Sequence, residues 1–499
     1  MPYPQMHGMM AVRGCPHQSI GSFTRLSPDY TALAVSEAAA AALGAKGGIM
    51  DGGAHPSNEI TLPAAYIFFA QFIDHDITLD AGGTALSDSP LSRSRIETIP
   101  NFRSPTLDLD SVYGFGPEVS PFLYDDGKDA IFGRLRTGNL VNKDDLPRVL
   151  EQEQDGSFTG RALIGDPRND ENIFIAQLHL LFLRFHNCLL TKYRATSRSA
   201  QEAFEEAMRQ ARYHFQHLVV FDFLERICDP AIFAYVRDRI RRGDAYPFFY
   251  TPSGDRHLPM PAEFSVAAFR FGHTLVRDTY PVNRENQRIQ LFDERFGTTG
   301  FAPVPPELTV DWSYLLDVDS AIPFARCMAF DHLLARELIR LPIEVVGSAP
   351  AHEQSLAFRN LRLGHVFGLP SGQTVAQQLA FAYNQDDTQR IDPAADVEFG
   401  KIPGWNNLDA TMRSDLESAT PLFFYVLREA GVLGGGDRLG PVGSAILLEV
   451  FGGALLACHD SILTGPGRTF RPLPEVAGDG DFRLADVARY VQACLNSSG

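Results

Sequence analysis

Long segments in which apolar residues recur every three or four positions dominate the chain. They occur at 61–80, 171–194, 200–228, 230–242 and 262–277, and again near 320–340, 374–384, 408–431 and 441–457. This spacing is typical of helices that bury one face. Pro63 is expected in the first turn of the earliest helix, and Asp155-Gly156 between two partly alternating runs predicts a hairpin at 146–165. The pattern predicts a mainly α-helical protein with little β-structure.

Nothing in the sequence marks a clean boundary between domains: there is no repeat, no low-complexity tract and no obvious linker. Residues 1–60 are rich in Gly, Ala, Ser and Pro, and we interpret them as an N-terminal arm in which SEAAAAALGAKGG forms a short helix. Residues 81–115 are expected to be loop. Although 499 residues could form several domains, we predict one large helical domain at 61–460 and a C-terminal extension, 461–499, packed on it.

Charge and composition exclude some classes of partner. The formal charge of −17 argues against general nucleic-acid or anionic-membrane binding, and is compatible with cations and small neutral molecules. The basic run RDRIRRGD at 237–244 is interpreted as a solvated helix end capped near Gly243. No run of 18 uninterrupted apolar residues occurs, so no membrane span is expected. The sequence does not indicate an oligomeric state.

The cellular compartment is inferred from two weaker signals. The first residues lack a classical secretory signal, which favours the cytoplasm and leaves export by another route open. The six cysteines are widely scattered and match neither a zinc motif nor a dense disulfide framework. Most are expected to be reduced, with Cys188 and Cys458 as small core residues.

The segment FFAQFIDHDITLD, residues 68–80, carries polar groups inside an apolar helix. Because successive helical residues lie about 100° apart, Gln71 and His75 share a face with Asp74 beside them, while Asp76 points about 100° away from His75. A core histidine held by hydrogen bonds, with an aspartate capping something nearby, is one interpretation. The cost of burying two carboxylates favours a functional site.

A second polar segment, SPTLDLDSVYG at 104–114, has oxygen-bearing side chains at alternate positions: Ser104, Thr106, Asp108 and Asp110. In an extended loop these oxygens would lie on one side, and Asp76 would add a third carboxylate. Such a set suits Ca²⁺, which takes six to eight oxygen ligands. A solvated Ser/Asp turn is the alternative, and the spacing does not match an EF-hand.

The segment GDPRNDENIFIAQLHLLFLRFHN places Arg168, Glu171 and Asn172 at the start of a long helix. Asp166, before Pro167, is expected to cap it. Two histidines on one face of this helix, His179 and His186, are expected to have structural roles in the core.

A lone histidine, His273, follows Gly272 in the predicted helix EFSVAAFRFGHTLV. Glycine within a helix costs roughly 1 kcal/mol relative to alanine, and close approach of a flat, bulky group would justify it. A lone histidine on an apolar face is usually structural. It becomes a metal ligand if a second histidine lies across a cofactor.

Taken in order, QFIDHD, LDLDSVYG, GDPRNDE with its following helix, FRFGHT and GLPSGQ resemble the animal haem peroxidases, the peroxidase–cyclooxygenase superfamily, as a bacterial member. The resemblance spans roughly residues 60–455. It implies a single, mainly α-helical haem-peroxidase domain with the haem between the helices that carry His75 and His273.

The resemblance also assigns roles to individual residues. His75 would be the distal histidine, with Gln71 beside it, Arg168 the distal arginine and His273 the proximal iron ligand. The other assignments are haem esters through Asp74 and Glu171, haem-side contacts from Gln373 (orienting His273) and Arg270, and calcium ligands from Asp76, Ser104, Thr106, Asp108 and Asp110.

The implied activity is a haem b peroxidase that reduces hydrogen peroxide and oxidises small organic donors or halides through a ferryl intermediate. A neutral imidazole can act as base and then acid on peroxide, and an arginine stabilises the charge that develops. Ca²⁺ would position the distal helix through Asp76.

Two alternatives remain on the same scaffold. One is a fatty-acid dioxygenase of the cyclooxygenase type, although Arg270 stands where that branch has its tyrosine. The other is a non-catalytic haem or adhesive protein.

The sequence departs from the family pattern in several places. Ala70 stands where glycine is frequent, and Asn172 where some members have a haem-linked methionine, so no sulfonium bond is expected. Val366-Phe367 replaces the Asp-His pair that often precedes GLP, and Gln373 stands where many members have asparagine.

Overall fold

Helices outnumber strands in the computed structural model, and the longest strand among the described residues has five residues, so the mainly α-helical prediction is confirmed. The structure describes residues 21–26, 30–53, 58–80, 86, 89–127, 130–154, 156, 158–244, 246–250, 258–293, 298–342, 346, 350–386, 388–478 and 480–498. Residues 1–20 of the predicted arm and Asp155 of the predicted hairpin lie outside these ranges.

The α-helices are numbered here in chain order. They are α1 Glu37–Gly44, α2 Ala65–Ile77, α3 Arg93–Ile96, α4 Asp110–Tyr113, α5 Ile173–Arg194, α6 Ala200–Leu218, α7 Glu225–Ile227, α8 Pro230–Arg242, α9 Arg336–Ile339, α10 Leu356–Val366, α11 Gly372–Tyr383, α12 Ala410–Ser418, α13 Leu422–Val432, α14 Pro441–Ala457, α15 Pro474–Ala477 and α16 Leu484–Ser498.

Nine short strands form four small sheets among the described residues. The strands are β1 Gly21–Thr24, β2 Glu59–Pro63, β3 Pro100–Asn101, β4 Glu151–Gln152, β5 Phe158–Thr159, β6 Met260–Pro261, β7 Thr279–Tyr280, β8 Ile289–Gln290 and β9 Arg326–Met328. β1 pairs antiparallel with β3 and parallel with β6. β2–β9, β4–β5 and β7–β8 are antiparallel pairs, and β4–β5 is the predicted hairpin.

Helix α2 lies against the long helix α5. Phe68 stacks on Phe174 with 4.7 Å between ring centroids, and Phe72 stacks on Phe182 at 4.8 Å. Pro63 was predicted in the first helical turn, but it ends strand β2, where it pairs with Arg326 of β9. A proline without an N–H is tolerated at such a strand end. The strand therefore sets where α2 begins.

Helix α5 begins at Ile173, capped by Asn172, whose side chain accepts hydrogen bonds from the backbone N–H groups of Phe174 and Ile175. Asp166 instead caps a short 3-10 turn, Pro167–Asp170. By length and composition α5 could cross a membrane, yet 89% of its apolar stretch is buried inside the protein. It is a core helix here.

Several helix predictions need correction. The segment 262–277 is not one regular helix but a π turn, Glu263–Ala267, followed by a 3-10 segment, Ala268–Leu275. The apolar residues near 320–340 form strand β9 and the four-residue α9, and Pro421 divides 408–431 into α12 and α13. Apolar spacing alone does not distinguish a short buried strand from a helix.

The two ends of the described chain belong to the same body. In the arm, β1 pairs with two strands, and Ser36 caps α1 as the short helix predicted there. At the other end, Tyr490 of α16 packs edge-on against Phe185 of α5.

A disulfide joins Cys188 of α5 to Cys494 of α16, with Cα atoms 6.2 Å apart. Cys188 is buried in the core as expected, but it belongs to a disulfide and is not among the reduced cysteines. The two residues are separated by 306 positions, so sequence spacing gave no sign of their proximity.

Candidate active site

His75 lies on α2 and is oriented by an asparagine. Its Nδ1 lies 2.9 Å from Oδ1 of Asn169, and Nδ2 of Asn169 lies 2.9 Å from Nδ1 of His179. Because the amide nitrogen only donates, Nδ1 of His179 accepts, and the amide oxygen faces His75. Nδ1 of His75 therefore carries the proton, which leaves a lone pair on Nε2.

The surroundings keep His75 neutral. Burial, followed by the positive charge of Arg168, lowers the pKa of His75 to about 3. A neutral ring with an unprotonated Nε2 is the form that can accept a proton from a substrate.

Arg168 is held next to His75 by a buried carboxylate. Its Nε and Nη2 donate to Asp166 at 3.1 and 2.7 Å, and Nη2 also donates to the backbone oxygen of His75 at 3.1 Å. Arg103 forms a second ion pair with Asp166 at 2.7 Å. Within the described part of the chain Nη1 of Arg168 has no acceptor, so this end of the guanidinium can meet a ligand.

Burial alone would raise the pKa of Asp166, but the hydrogen bonds and charge of Arg168, with the charge of Arg103, hold it below its usual value. Asp166 thus stays ionised between two arginines.

Gln71 and Glu171 meet at one edge of the site. Nε2 of Gln71 donates to Oε2 of Glu171 at 3.2 Å, and Asn172 approaches the oxygen of Gln71 at 3.5 Å. Asp74 accepts from the hydroxyl of Thr78 at 3.1 Å. Burial raises the pKa of Glu171 to about 7 and also raises that of Asp74, with Arg168 opposing both shifts. The structure thus places two carboxyl groups near Arg168.

On the opposite side, Asn360 of α10 contacts His273. Its Nδ2 lies 2.9 Å from Nδ1 of His273, while its Oδ1 accepts from Nη1 of Arg270 at 2.8 Å. Burial, then Arg270, lowers the pKa of His273 to about 3. In this arrangement Nδ1 of His273 accepts and Nε2 carries the proton. Binding a metal at Nε2 requires a half-turn of the amide, so that its oxygen accepts from Nδ1–H.

Gln373 was predicted to orient His273, but the structure does not bring it there. Its amide donates to the hydroxyl of Thr420 at 2.8 Å and to the backbone oxygen of Glu417 at 3.1 Å. Gln373 lies in the first turn of α11, where it joins that helix to the end of α12 and to the connection between α12 and α13. The ungapped alignment of GLPSGQ could not reveal this, because Asn360 lies upstream of that motif in a different helix.

The side chains around the two histidines fit a flat prosthetic group. Several groups within the protein keep partial exposure although their neighbours are buried: Gln71, Asp74, Arg168, Glu171, Arg270 and His273. A Cβ placed on Gly272 would lie 4.0 Å from Cβ of Ala70, so α2 and the His273 segment meet at this point. Nε2 of His273 has no protein partner among the described residues. An axial imidazole on one side and a base with an arginine on the other suit haem.

The predicted calcium residues lie close together next to Asp76 of α2. The segment that carries them is not an extended loop. Leu107 and Leu109 adopt left-handed conformations, with φ of 55° and 61°. Asp76 accepts from the backbone N–H of Leu109 at 3.0 Å and the hydroxyl of Ser111 at 2.8 Å. The local turns, rather than strand-like alternation, gather the oxygens.

The remaining contacts of this cluster only partly fit a cation. Ser104 and Thr106 hydroxyls lie 2.5 Å apart, Thr106 donates to Asp108 at 3.2 Å, and Asp110 accepts from the backbone N–H of Ser104 at 3.0 Å. Oδ1 of Asp108 is buried without a hydrogen-bond partner. However, the described residues contain no group of three or more His, Cys, Asp or Glu arranged to hold a metal. The oxygen-bearing side chains are of the type that Ca²⁺ prefers, but they are not arranged around one common point.

Part of the site lies in a segment that resembles a known protein family. The sequence profile of the animal haem peroxidase family matches residues 88–305, a segment that contains Arg168 and His273. Over this segment the chain is similar to the animal haem peroxidases. Helix α2 with His75 precedes the matched segment, so the geometry around His75 adds to what the profile covers.

Curated relatives match the chain over a limited segment. A peroxidase-like protein of Margaritifera margaritifera is 29% identical over 189 residues, which cover 36% of this chain and 22% of the relative. Thyroid peroxidase of Rattus norvegicus is 30% identical over 206 residues, covering 38% of this chain and 22% of the relative. The chain thus spans less than a quarter of the length of these relatives.

Solved structures resemble the chain over most of its length. Peroxidase A from Dictyostelium discoideum superposes with a TM-score of 0.57 at 16% identity, covering 93% of this chain and 94% of that one. Fatty acid alpha-dioxygenase from Oryza sativa gives a TM-score of 0.51 at 14% identity, covering 97% and 81%. At these identities the likeness concerns the fold alone.

Four polar residues of the candidate site were not recognised from the sequence as part of it. Asn169 orients His75, His179 orients Asn169, Asp166 holds Arg168, and Asn360 contacts His273. The run GDPRND contained two of them, Asp166 and Asn169, but it predicted only a helix start for these two residues. His186 has the expected structural role, between the hydroxyl of Tyr113 and the backbone oxygen of Gly133.

Proposed function

We propose that the protein is a haem-dependent peroxidase that reduces hydrogen peroxide and oxidises small organic donors or halides. The observation that supports this most is His75, a buried, neutral imidazole whose Nδ1 is committed to Asn169 at 2.9 Å while Nε2 remains a base. Haem b, held through Nε2 of His273, would supply the iron centre that takes up the oxidising equivalents of peroxide.

Two residues would carry out the proton and charge chemistry. Nε2 of His75 would accept a proton from one peroxide oxygen and return it to the other. The unpaired end of Arg168 would stabilise negative charge on the departing oxygen. Because Asp166 and the backbone oxygen of His75 hold Arg168, the guanidinium keeps its place next to the imidazole.

The central experiment compares wild type with His75→Ala. Haem-reconstituted wild type should show a ferric Soret band that shifts within seconds of adding hydrogen peroxide. The variant should keep the resting band and react about 10²–10⁴-fold more slowly, the usual contribution of general acid–base catalysis. His352→Ala, which removes a partly exposed histidine outside the site, is the control. An unchanged peroxide rate in His75→Ala would contradict the assignment.

Asp74 and Glu171 are the proposed partners for covalent haem esters, because each places a carboxyl group at the edge of the same site. Extraction with acidified acetone after peroxide turnover tests this. Haem retained by wild type and released by Asp74→Asn with Glu171→Gln would support the esters, whereas full extraction from wild type would contradict them.

Calcium is proposed for the cluster around Asp76 and Asp108. The buried, unpartnered Oδ1 of Asp108 supports it, because a buried carboxylate needs a cation or a donor. Chelation should lower the thermal midpoint and added Ca²⁺ should restore it, with Asp108→Asn unresponsive to either. Wild type that ignores both treatments would contradict calcium binding.

A cyclooxygenase-type dioxygenase is the weaker proposal. The position three residues before His273 carries Arg270, which donates to Ser265 and Asn360 and supplies no phenol. Oxygen uptake with a fatty acid would favour that alternative. Haem binding without reaction with peroxide would favour a non-catalytic scaffold.

A further inference from the structure

A groove lined by six arginines lies where the end of α6, helix α8 and the C-terminal extension meet. Its volume is about 1230 Å³. We call it the arginine groove; its basic residues are Arg226, Arg241, Arg438, Arg468, Arg471 and Arg483, and its acidic residues are Asp222, Glu225 and Asp481. In a chain with a net charge of −17, this local excess of positive charge runs against the overall composition.

Asp222, the acidic residue at the inner end of the groove, already accepts hydrogen bonds from other residues of the protein. Asp222 accepts from the hydroxyl of Tyr66, from Nε of Arg226 at 2.5 Å and from the backbone N–H of Leu484 at 2.9 Å. It therefore neutralises Arg226 and faces into the protein. Asp481 approaches Arg483 only to 4.0 Å.

Two arginines of the groove are available for a ligand. Arg241 and Arg468 are exposed and have no acceptor in the part of the chain that the structure describes. Arg471 donates to the backbone oxygen of Phe470 at 2.7 Å, and Arg438 to that of Glu225 at 3.2 Å. Backbone oxygens carry no full charge, and neither of these guanidinium groups forms an ion pair with a carboxylate among the described residues.

Aromatic rings form another wall of the groove. The ring of His217 lies 4.8 Å from that of Phe221, 5.8 Å from Phe482 and 6.2 Å from Phe470, measured between centroids. Phe221 belongs to a π-helical segment, Val219–Leu224, an irregularity that frequently marks functional sites. Nδ1 of His217 is buried and has no partner among the described residues.

We propose that the arginine groove binds an organic polyphosphate, of which a nucleoside triphosphate is the simplest representative. Planar guanidinium groups match phosphate oxygens in pairs. The aromatic wall would take a flat organic group, since such rings stack on one another. Neither wall belongs to the haem site, so this proposal stands independently of the peroxidase activity.

Calorimetric titration of the full chain tests the proposal with three probes: ATP, inorganic tripolyphosphate and AMP, all without added metal. ATP should bind most tightly, because it alone offers both the charge and the ring. The double variant Arg241→Gln with Arg468→Gln should raise the Kd for ATP at least about tenfold, since hydrogen bonds to charged groups are individually worth that much. Both residues are exposed, so the variant should fold.

Arg284→Gln is the matched control, because Arg284 is an exposed arginine outside the groove with no side-chain partner among the described residues. Its Kd for ATP should equal that of wild type. An equal loss in the control would show non-specific attraction and overturn the proposal. So would millimolar or absent ATP binding, tripolyphosphate binding as tightly as ATP, or tighter binding of a single-stranded oligonucleotide.

Discussion

Both sides of the candidate haem site pair an asparagine with a histidine, but the asparagine amide has the opposite orientation on the two sides. On each side an asparagine amide lies 2.9 Å from Nδ1 of a histidine. Asn169 donates its N–H to His179, so its oxygen faces His75. Asn360 accepts from Arg270, so its nitrogen faces His273. The third residue decides which end of the amide meets the histidine, and thereby which ring nitrogen carries the proton.

The two amide orientations give the two histidines different protonated nitrogens. The distal amide sets His75 as a base at Nε2, the state that peroxide chemistry needs. The amide of Asn360 sets His273 with its proton on Nε2, and a metal held at Nε2 would require this amide to be reversed. The distal side is thus organised by the chain alone, whereas the proximal side reaches its working state only together with the ligand.

The largest expected effect is loss of haem from the proximal side. His273→Gly should abolish the Soret band at stoichiometric haem, because His75, the other imidazole of the described site, is proposed as the base for peroxide and not as the iron ligand. Added imidazole should restore the band. His75→Gly should retain it, because His273 remains as the proposed iron ligand. Equal haem loss in both variants would break the comparison between the two sides.

The sequence revealed much of the distal side and little of the proximal side, for a physical reason. Helical periodicity separated His75 from Asp76 within one helix, and such short-range geometry can be read from spacing. The pairing of His273 with Asn360 joins a 3-10 segment to a helix 87 residues later, and no local pattern encodes it. The disulfide between Cys188 and Cys494 was missed for the same reason.

The helical class was predictable because burial imposes a period on long helices. Strand β9 was not, since three residues are too few to show alternation. The left-handed leucines of the oxygen-rich loop were equally invisible, because leucine has no preference for that conformation.

The second expected effect concerns the charge that holds the distal arginine. Asp166→Asn should lower the free energy of unfolding by about 3–5 kcal/mol, because removing one partner leaves a buried ion pair uncompensated. Urea denaturation measures it. Asp126→Asn is the control, since Asp126 is exposed and pairs with Arg136 at the protein surface. A similar loss in both variants would remove the special role of Asp166.

The pKa of Asp166 also predicts a pH dependence. Its folded pKa lies below the unfolded value, so its contribution is present above the usual carboxyl pKa, near ~4, and is lost as pH falls through the folded pKa. Wild type should therefore lose stability below about pH 4, and Asp166→Asn should lose less over that range. Parallel curves would contradict this assignment.

A smaller effect should follow from opening the disulfide that anchors α5, the helix that carries His179. Cys494→Ser should reduce the free energy of unfolding by about 2–4 kcal/mol. Cys458→Ser, at a buried cysteine outside the disulfide, is the comparison for loss of a thiol alone. Mass spectrometry of alkylated protein from cells decides whether the bond forms, which bears on compartment, because disulfides persist mainly in oxidising ones.

The smallest expected effect tests the two asparagines directly. Asn360→Asp places a carboxylate between Arg270 and His273, so both neighbours can donate to it and Nδ1 of His273 must carry the proton. A more basic proximal ligand stabilises ferric iron, so the midpoint potential should fall by about 60 mV, a tenfold change in relative affinity for a one-electron couple.

The matched variant on the other side is Asn169→Asp, whose carboxylate still accepts from His75 but cannot donate to His179. It should leave the potential within about 10 mV of wild type, against that 60 mV shift, and slow only the reaction with peroxide. A shift of equal size in both variants would show that the third residue does not set the direction of the hydrogen bond.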